Sequence, residues 1–158
     1  MATPTTIDYE KVKVLVIEDE LHTRSIIRSQ LLQLGVREIA EAHDGKSGML
    51  QVVKARPHLI FCDVHMAPIG GLEFLKSLRE LKVAKLNELP VIFLTADAQR
   101  DTVLFAKEHA VNGYLVKPVS AAQLKAQIDV VAEKLDLKKS DTPPPPEHHR
   151  VKGGNEPR

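Results

Sequence analysis

The chain has 158 residues, 43% of them hydrophobic and 27% charged, with a formal net charge of +1. That length suits one domain with a substantial core plus a tail, and is too short for two ordinary domains. The last 21 residues carry five Lys/Arg against three Asp/Glu, which leaves the rest at −1 and without the basic footprint that nucleic acid or an anionic membrane requires.

Met1 to Glu10 is a polar lead without the apolar core of a signal peptide, and no apolar run reaches membrane-spanning length, so a cytoplasmic location is expected. Val12 to Ile17 reads as the first strand, ended by the triplet Glu18-Asp19-Glu20. Leu21 to Leu34 carries Ile27, Leu31 and Leu34 at helical spacing, and Gly35 is placed to end that helix. Glu38 to Ala42 alternates polar and apolar residues like a partly exposed strand. Asp44 is placed to cap a helix over Gly45 to Lys54, which Gly45 and Gly48 weaken. Pro57 punctuates before Leu59 to Cys62, a four-residue apolar run that fits a fully buried strand and delivers Asp63 at its end. Cys62, the sole cysteine, excludes an internal disulfide framework and reads as a small buried hydrophobe.

Val64 to Gly71, with Pro68 and two glycines, is a loop, and Leu72, Leu75, Leu78 and Leu81 mark a third helix. Pro90 precedes a fourth strand, Val91 to Leu94, with Thr95 at its end. A fourth helix is predicted over Ala98 to Glu108, then the turn Asn112-Gly113 and a short fifth strand, Tyr114 to Val116, followed by Lys117-Pro118. Ser120 and Gln123 fit a capping box for a fifth helix striped by Leu124, Ile128, Val131 and Leu135. From Ser140 the composition turns to Pro143 to Pro146, two histidines and polar residues, which cannot bury enough surface to offset chain entropy. The predicted organisation is a lead over residues 1–10, one domain over 11–138, and a disordered proline-rich tail over 139–158.

Strands alternating with helices imply an α/β fold, a doubly wound parallel sheet covered on both faces, whose ligands gather at the carboxyl ends of the strands. Glu18, Asp19, Asp63, Thr95 and Lys117 each follow a strand directly and should converge on one rim. Carboxylates about 5 Å apart repel by roughly 3 kcal/mol per pair at an effective dielectric of about 20, so a cation belongs among them. Hard oxygen ligands suit Mg²⁺, which is typically shared with phosphate oxygens. Phosphoryl transfer needs a nucleophile and cationic support. Asp63 supplies the first as a precursor of an acyl phosphate, and Lys117 and the Thr95 hydroxyl can support the phosphoryl oxygens. The chain has no GxxxxGK[ST] loop and no GxGxxG motif that would offer another phosphate cradle.

Glu18-Asp19 after the first strand, Asp63 after the third, Thr95-Ala96 after the fourth, and Tyr114 with Lys117-Pro118 at the fifth together resemble the receiver domain of two-component response regulators. The match spans about Lys11 to Leu137 and rests on five separately placed motifs in the right order. The resemblance implies a flavodoxin-like (βα)5 sandwich with strand order 2-1-3-4-5. It also implies that Asp63 accepts a phosphoryl group from a histidine kinase or histidine phosphotransfer protein. Glu18, Asp19, Asp63 and the backbone carbonyl of His65 would hold Mg²⁺, and Lys117 would contact the phosphoryl group. Thr95 would move toward it and the Tyr114 ring swing inward behind, remodelling the surface of the fourth helix, fifth strand and fifth helix for an effector protein. A cis Lys117-Pro118 bond is implied as well.

This sequence departs from the family pattern in its loop, where Pro68 stands one place later than usual, and in having Glu18 at the first acidic position. His65 and Asp97 occupy the variable positions that flank the phosphate. The expected function is therefore a stand-alone receiver, a phosphorylation switch acting through protein contacts or onward relay rather than an enzyme with external substrates. Two alternatives stand beside it. One is a receiver-fold scaffold that no longer uses phosphate. The other is an aspartate-nucleophile phosphohydrolase, which usually places a second acid two residues after the nucleophile, where this chain has His65.

Overall fold

A run in which every residue is apolar can be buried only if both faces of its strand are covered, and the observed architecture supplies both covers. The structure, a computed structural model, describes residues 6–97, 99, 100 and 111–139. Five strands, β1 (Lys13–Ile17), β2 (Glu38–Ala42), β3 (Leu59–Asp63), β4 (Val91–Thr95) and β5 (Gly113–Val116), form one sheet in the order β2-β1-β3-β4-β5. All four pairings are parallel. The fold is flavodoxin-like, with the strand order that the family resemblance implied. Among the described residues four helices pack on it: α1 (Leu21–Leu34), α2 (Gly45–Ala55), α3 (Gly71–Arg79) and α4 (Ala121–Lys134), the last being the fifth helix of the sequence pattern. The helix predicted over Ala98 to Glu108 falls largely outside the described residues, as does the proline-rich tail after Lys139.

The two faces divide the apolar runs by the two-residue period of a strand. Val14 and Val16 of β1, Phe61 of β3, and Ile92 and Leu94 of β4 point to one face, where Ile27 and Leu31 of α1 and Leu124 and Ile128 of α4 cover them. Leu15, Ile17, Cys62 and Phe93 point to the other, under Val52 of α2 and Phe74, Leu75 and Leu78 of α3. Gly35 ends α1 in the left-handed conformation at φ 106°, and the capping boxes Asp44/Ser47 and Ser120/Gln123 start α2 and α4. Two members of the predicted stripes fall beyond their helices. Leu81 lies past the end of α3, and Leu135, the C-cap of α4, is 50% exposed.

The lead is not a free arm from Thr6 onward. Ile7 forms an antiparallel bridge with Lys138, the Asp8 N–H donates to the Leu137 carbonyl at 3.0 Å, and the Lys139 N–H donates to the Thr6 carbonyl at 2.8 Å. The Tyr9 hydroxyl donates to Asp129 Oδ1 at 2.6 Å, and Lys125 on the same helix holds the other oxygen of that carboxylate at 2.7 Å. Burial, and the hydrogen bond to Asp129 after it, raise the Tyr9 pKa, which keeps the phenol a donor. Ile7, Tyr9 and Leu137 pack against the α1/α4 side of the core. Tyr9→Phe keeps that packing and removes only the hydrogen bond to a charged acceptor. It should cost about 1 kcal/mol of unfolding free energy, seen as a drop of a few degrees in Tm with an unchanged far-UV spectrum.

Candidate functional site

Parallel strands end on one edge, and the register places the chemistry there. Ile17 lies opposite Cys62, Cys62 opposite Phe93, and Phe93 opposite Tyr114. Glu18 and Asp63 therefore leave the sheet abreast. Thr95 lies opposite Val116, one residue before Lys117, and the Lys117 N–H donates to the Thr95 carbonyl at 2.8 Å. The start of α3 presses on this edge from beside it. The Gly71 N–H donates to the Val64 carbonyl at 2.9 Å, and a Cβ on Gly71 would run into the carbonyl oxygen of Asp63. Only glycine lets the helix approach the acid's own backbone so closely.

Glu18, Asp63 and Thr95 are buried, while Asp19 is exposed at the mouth. Lys117 Nζ lies 2.8 Å from Glu18 Oε2 and 3.3 Å from Asp63 Oδ1, so one ammonium bridges two carboxylates. Glu18 Oε2 is a buried oxygen, and the Lys117 ammonium is its cationic partner. The His65 N–H donates to Asp63 Oδ1 at 3.4 Å, and the Glu20 N–H to Glu18 Oε1 at 3.3 Å. Thr95 Oγ1 accepts the Asp97 N–H at 3.1 Å, and Asp97 Oδ1 accepts the Arg100 N–H at 3.1 Å. The Lys117–Pro118 bond is cis, as the resemblance implied, and Ala67–Pro68 in the loop after β3 is cis too.

Burial, reinforced by the charge of Asp63 and opposed by Lys117, pushes the Glu18 carboxyl up to about 7. For Lys117 burial acts downward, but the hydrogen bond with Glu18 and the Asp63 charge more than offset it, and its pKa is raised. The ammonium is therefore a permanent partner of the acids. Cys62 behaves as the sequence suggested. It is fully buried, its thiol donates to the Asp63 carbonyl at 3.3 Å, and burial raises its pKa well above the ordinary value.

Glu18, Asp19 and Asp63 each present one carboxylate oxygen, all within 4.8 Å of one another. With Lys117 the ionised set carries −2, a charge that one divalent cation balances. An all-oxygen donor set and a carboxyl whose ionised form is disfavoured by burial and by the Asp63 charge together fit a hard divalent cation. An open hollow of about 520 Å³ adjoins Asp19, lined by Val64, His65, Met66, Pro68 and Leu72 among others. A carboxylate beside a fixed ammonium and two further acids has the chemical make-up that phosphoryl transfer to an acid requires.

The structure thus brings Glu18, Asp19, Asp63 and Lys117 together, with Thr95 on the same edge and the His65 backbone against Asp63. Tyr114 lies on the edge strand, 42% exposed. Arg24 was not singled out by the sequence pattern. Its Nη1 donates to the Glu18 carbonyl at 2.7 Å while its Nε lies 3.3 Å from Glu41 Oε1, which itself pairs with Arg28 at 3.1 Å. This clamp ties the acidic turn to β2. Its only trace in the sequence is an arginine in the first turn of a helix that follows three acids.

The raised Glu18 pKa has a consequence for the metal-free protein. A carboxyl whose folded pKa exceeds its unfolded value of about 4.5 contributes stability that is fully present below that value and is lost as pH rises through about 7. Chemical denaturation in the presence of chelator should therefore show unfolding free energy falling between about pH 5 and pH 8, and Glu18→Gln should remove most of that slope.

Residues 14–129 match the family model described as the response regulator receiver domain. The chain is 33% identical over 126 residues to chemotaxis protein CheY-3 of Vibrio cholerae, covering 80% of this chain and 95% of that protein. Among solved structures it superposes on chemotaxis response regulator CheY4 of V. cholerae at a TM-score of 0.65 and 28% identity, covering 76% of this chain and 98% of the other. It shares its fold, at a TM-score of 0.69 and 24% identity over 77% of this chain and 98% of the other, with the receiver domain of sensor histidine kinase PA1611 from Pseudomonas aeruginosa, solved with a magnesium ion in its active-site cleft. The five-stranded parallel order, the acid cluster at the strand ends and these matches place the chain in the response regulator receiver domain family of two-component signalling.

Proposed function

We propose that this receiver is a phosphorylation switch in which Asp63 accepts a phosphoryl group from a phosphohistidine on a histidine kinase or histidine phosphotransfer protein. The observation that carries this reading is the single ammonium of Lys117 bridging the buried carboxylates of Glu18 and Asp63, with Asp19 completing an oxygen cluster around them. A carboxylate oxygen of Asp63 attacks phosphorus, the phosphorus–nitrogen bond breaks, and the imidazole leaves with the electron pair and takes up a proton. The product is an acyl phosphate. Lys117 stays in place as countercharge to the growing negative charge, and the buried rim limits water at the acceptor.

Mg²⁺ is the cation this reading assigns to Glu18, Asp19, Asp63 and the backbone carbonyl of His65, where it would supply charge neutralisation of phosphoryl oxygens. The likeness to a magnesium-holding receiver supports that choice. Thr95 and Tyr114 are assigned the response. The Thr95 hydroxyl turns toward the phosphoryl group, the Tyr114 ring moves inward, and the surface around β5 and α4 changes for an effector protein or an onward relay. Apart from assisting its own phosphorylation and dephosphorylation, such a chain turns over no external substrate.

Intact-protein mass after incubation with Mg²⁺ and a small acyl-phosphate donor tests this directly. Wild type should gain about 80 Da, one phosphoryl group, only when Mg²⁺ is present, and Asp63→Asn should gain nothing. Absence of an adduct under all conditions would favour a phosphate-independent scaffold, an adduct that survives in Asp63→Asn would move the acceptor elsewhere, and steady release of phosphate from phosphate esters would favour a hydrolase.

A further inference from the structure

The amino ends of the strands, opposite Asp63, hold a second feature that the phosphorylation chemistry does not use. Pro57 and His58 lead into β3, Pro90 into β4 and Asn112 into β5, and these residues line a groove of about 620 Å³. Strands of five residues separate it from the acidic rim by about 16 Å. Its floor and walls are apolar: Leu86, Leu89 and Pro90 come from the segment before β4, and Val130, Val131 and Leu135 from α4. Val130 is 53% exposed in a helix whose other apolar stripe is well buried, and Leu135 at its C-cap is 50% exposed.

The border of this groove is cationic. Arg56, Lys85 and Lys134 line it from three different elements, and no ion pair ties any of them to a carboxylate among the described residues. The one acid in the lining, Glu88, acts on Arg79, whose guanidinium is bound to the Asn87 and Leu89 carbonyls at 3.1 and 2.8 Å. Two of the three cations also stand where the backbone favours glycine. Arg56 closes α2 at φ 48° and Lys85 precedes a short 3-10 turn at φ 74°. A side chain other than glycine on positive-φ backbone carries a cost that glycine would not.

We infer that this groove docks an acidic amphipathic peptide segment of a partner protein, with adjacent apolar side chains seated on Leu86, Leu89, Val130 and Leu135 and flanking carboxylates facing Arg56, Lys85 and Lys134. Charge complementarity chooses this occupant. An apolar floor alone would accept any hydrophobic chain, whereas three lining cations against the single acid Glu88 disfavour a basic one and favour an acidic one. Docking here leaves the acidic rim open to a phosphodonor, so the same domain can be tethered and phosphorylated together.

The probe is a short fluorescein-labelled peptide of alternating leucine and glutamate pairs, titrated into the full chain, beside an analogue with lysine in place of glutamate. The glutamate peptide should bind and shift backbone amide signals around His58, Leu86, Val130 and Leu135. Affinity should fall about tenfold or more in R56E/K85E/K134E and on raising the salt concentration, and the lysine peptide should bind at least tenfold more weakly. Val130→Ser, at an exposed position that tolerates a small polar side chain, should weaken binding as well, by removing apolar floor without changing charge, and leave Tm little changed. Equal binding of both peptides, shifts spread over the acidic rim, displacement by a single-stranded oligonucleotide, or sedimentation showing the groove closed by a second copy of this chain would each overturn the assignment.

Discussion

Everything at the working end of this protein depends on one electrostatic problem, the concentration of carboxylates at the exit of a buried sheet. Glu18 and Asp63 emerge side by side because β1 and β3 are in register, and neither can escape to water because the apolar runs behind them are packed on both faces. Lys117 is the protein's own partial answer. It is delivered by a third strand and neutralises one charge of three. The remainder is left open, a charge that one divalent cation would balance. Glu18 carries the cost most visibly, as a carboxyl held partly protonated near neutrality.

The same geometry explains why so little else on the sheet is chemical. With both faces committed to hydrophobic packing, polar function is confined to the two ends of the strands. At the carboxyl end it takes the form of acids and a lysine. At the amino end it takes the form of prolines, an asparagine and a cationic groove. His58 illustrates the second end: its Nδ1 accepts the Lys13 N–H at 3.0 Å, extending the pairing of β1 and β3 with a side chain, and burial lowers its pKa so that it stays an acceptor.

Most of this plan could be read from the sequence because burial on two faces leaves a simple signature. Val14 to Ile17, Leu59 to Cys62 and Val91 to Leu94 are unbroken apolar runs, and the polar residue that ends each run marks the rim. Less legible were features whose cause lies in a distant neighbour. Gly48 weakens α2 when counted as a helix residue, yet a Cβ there would strike Ile17 Cδ1, so the glycine permits α2 to lie close on β1. Leu81 and Leu135 continue the apolar spacing past the helix ends, because periodicity does not register where backbone hydrogen bonding stops. The Arg24–Glu41 clamp joins a helix to the strand after it, and the pairing of Thr6 to Asp8 with Leu137 to Lys139 joins opposite ends of the chain. Neither has a local pattern to announce it.

That last pairing sets how the domain can be connected to anything else. Thr6 and Lys139 are hydrogen-bonded neighbours, so the polypeptide enters and leaves at a single corner, on the amino side of the strands and away from Asp63. Sequences attached at either side of the domain diverge from one point without crossing the acidic edge. The same adjacency makes the fold suited to circular permutation, since a short linker can join the two sides at this corner while new ends are opened in a surface loop.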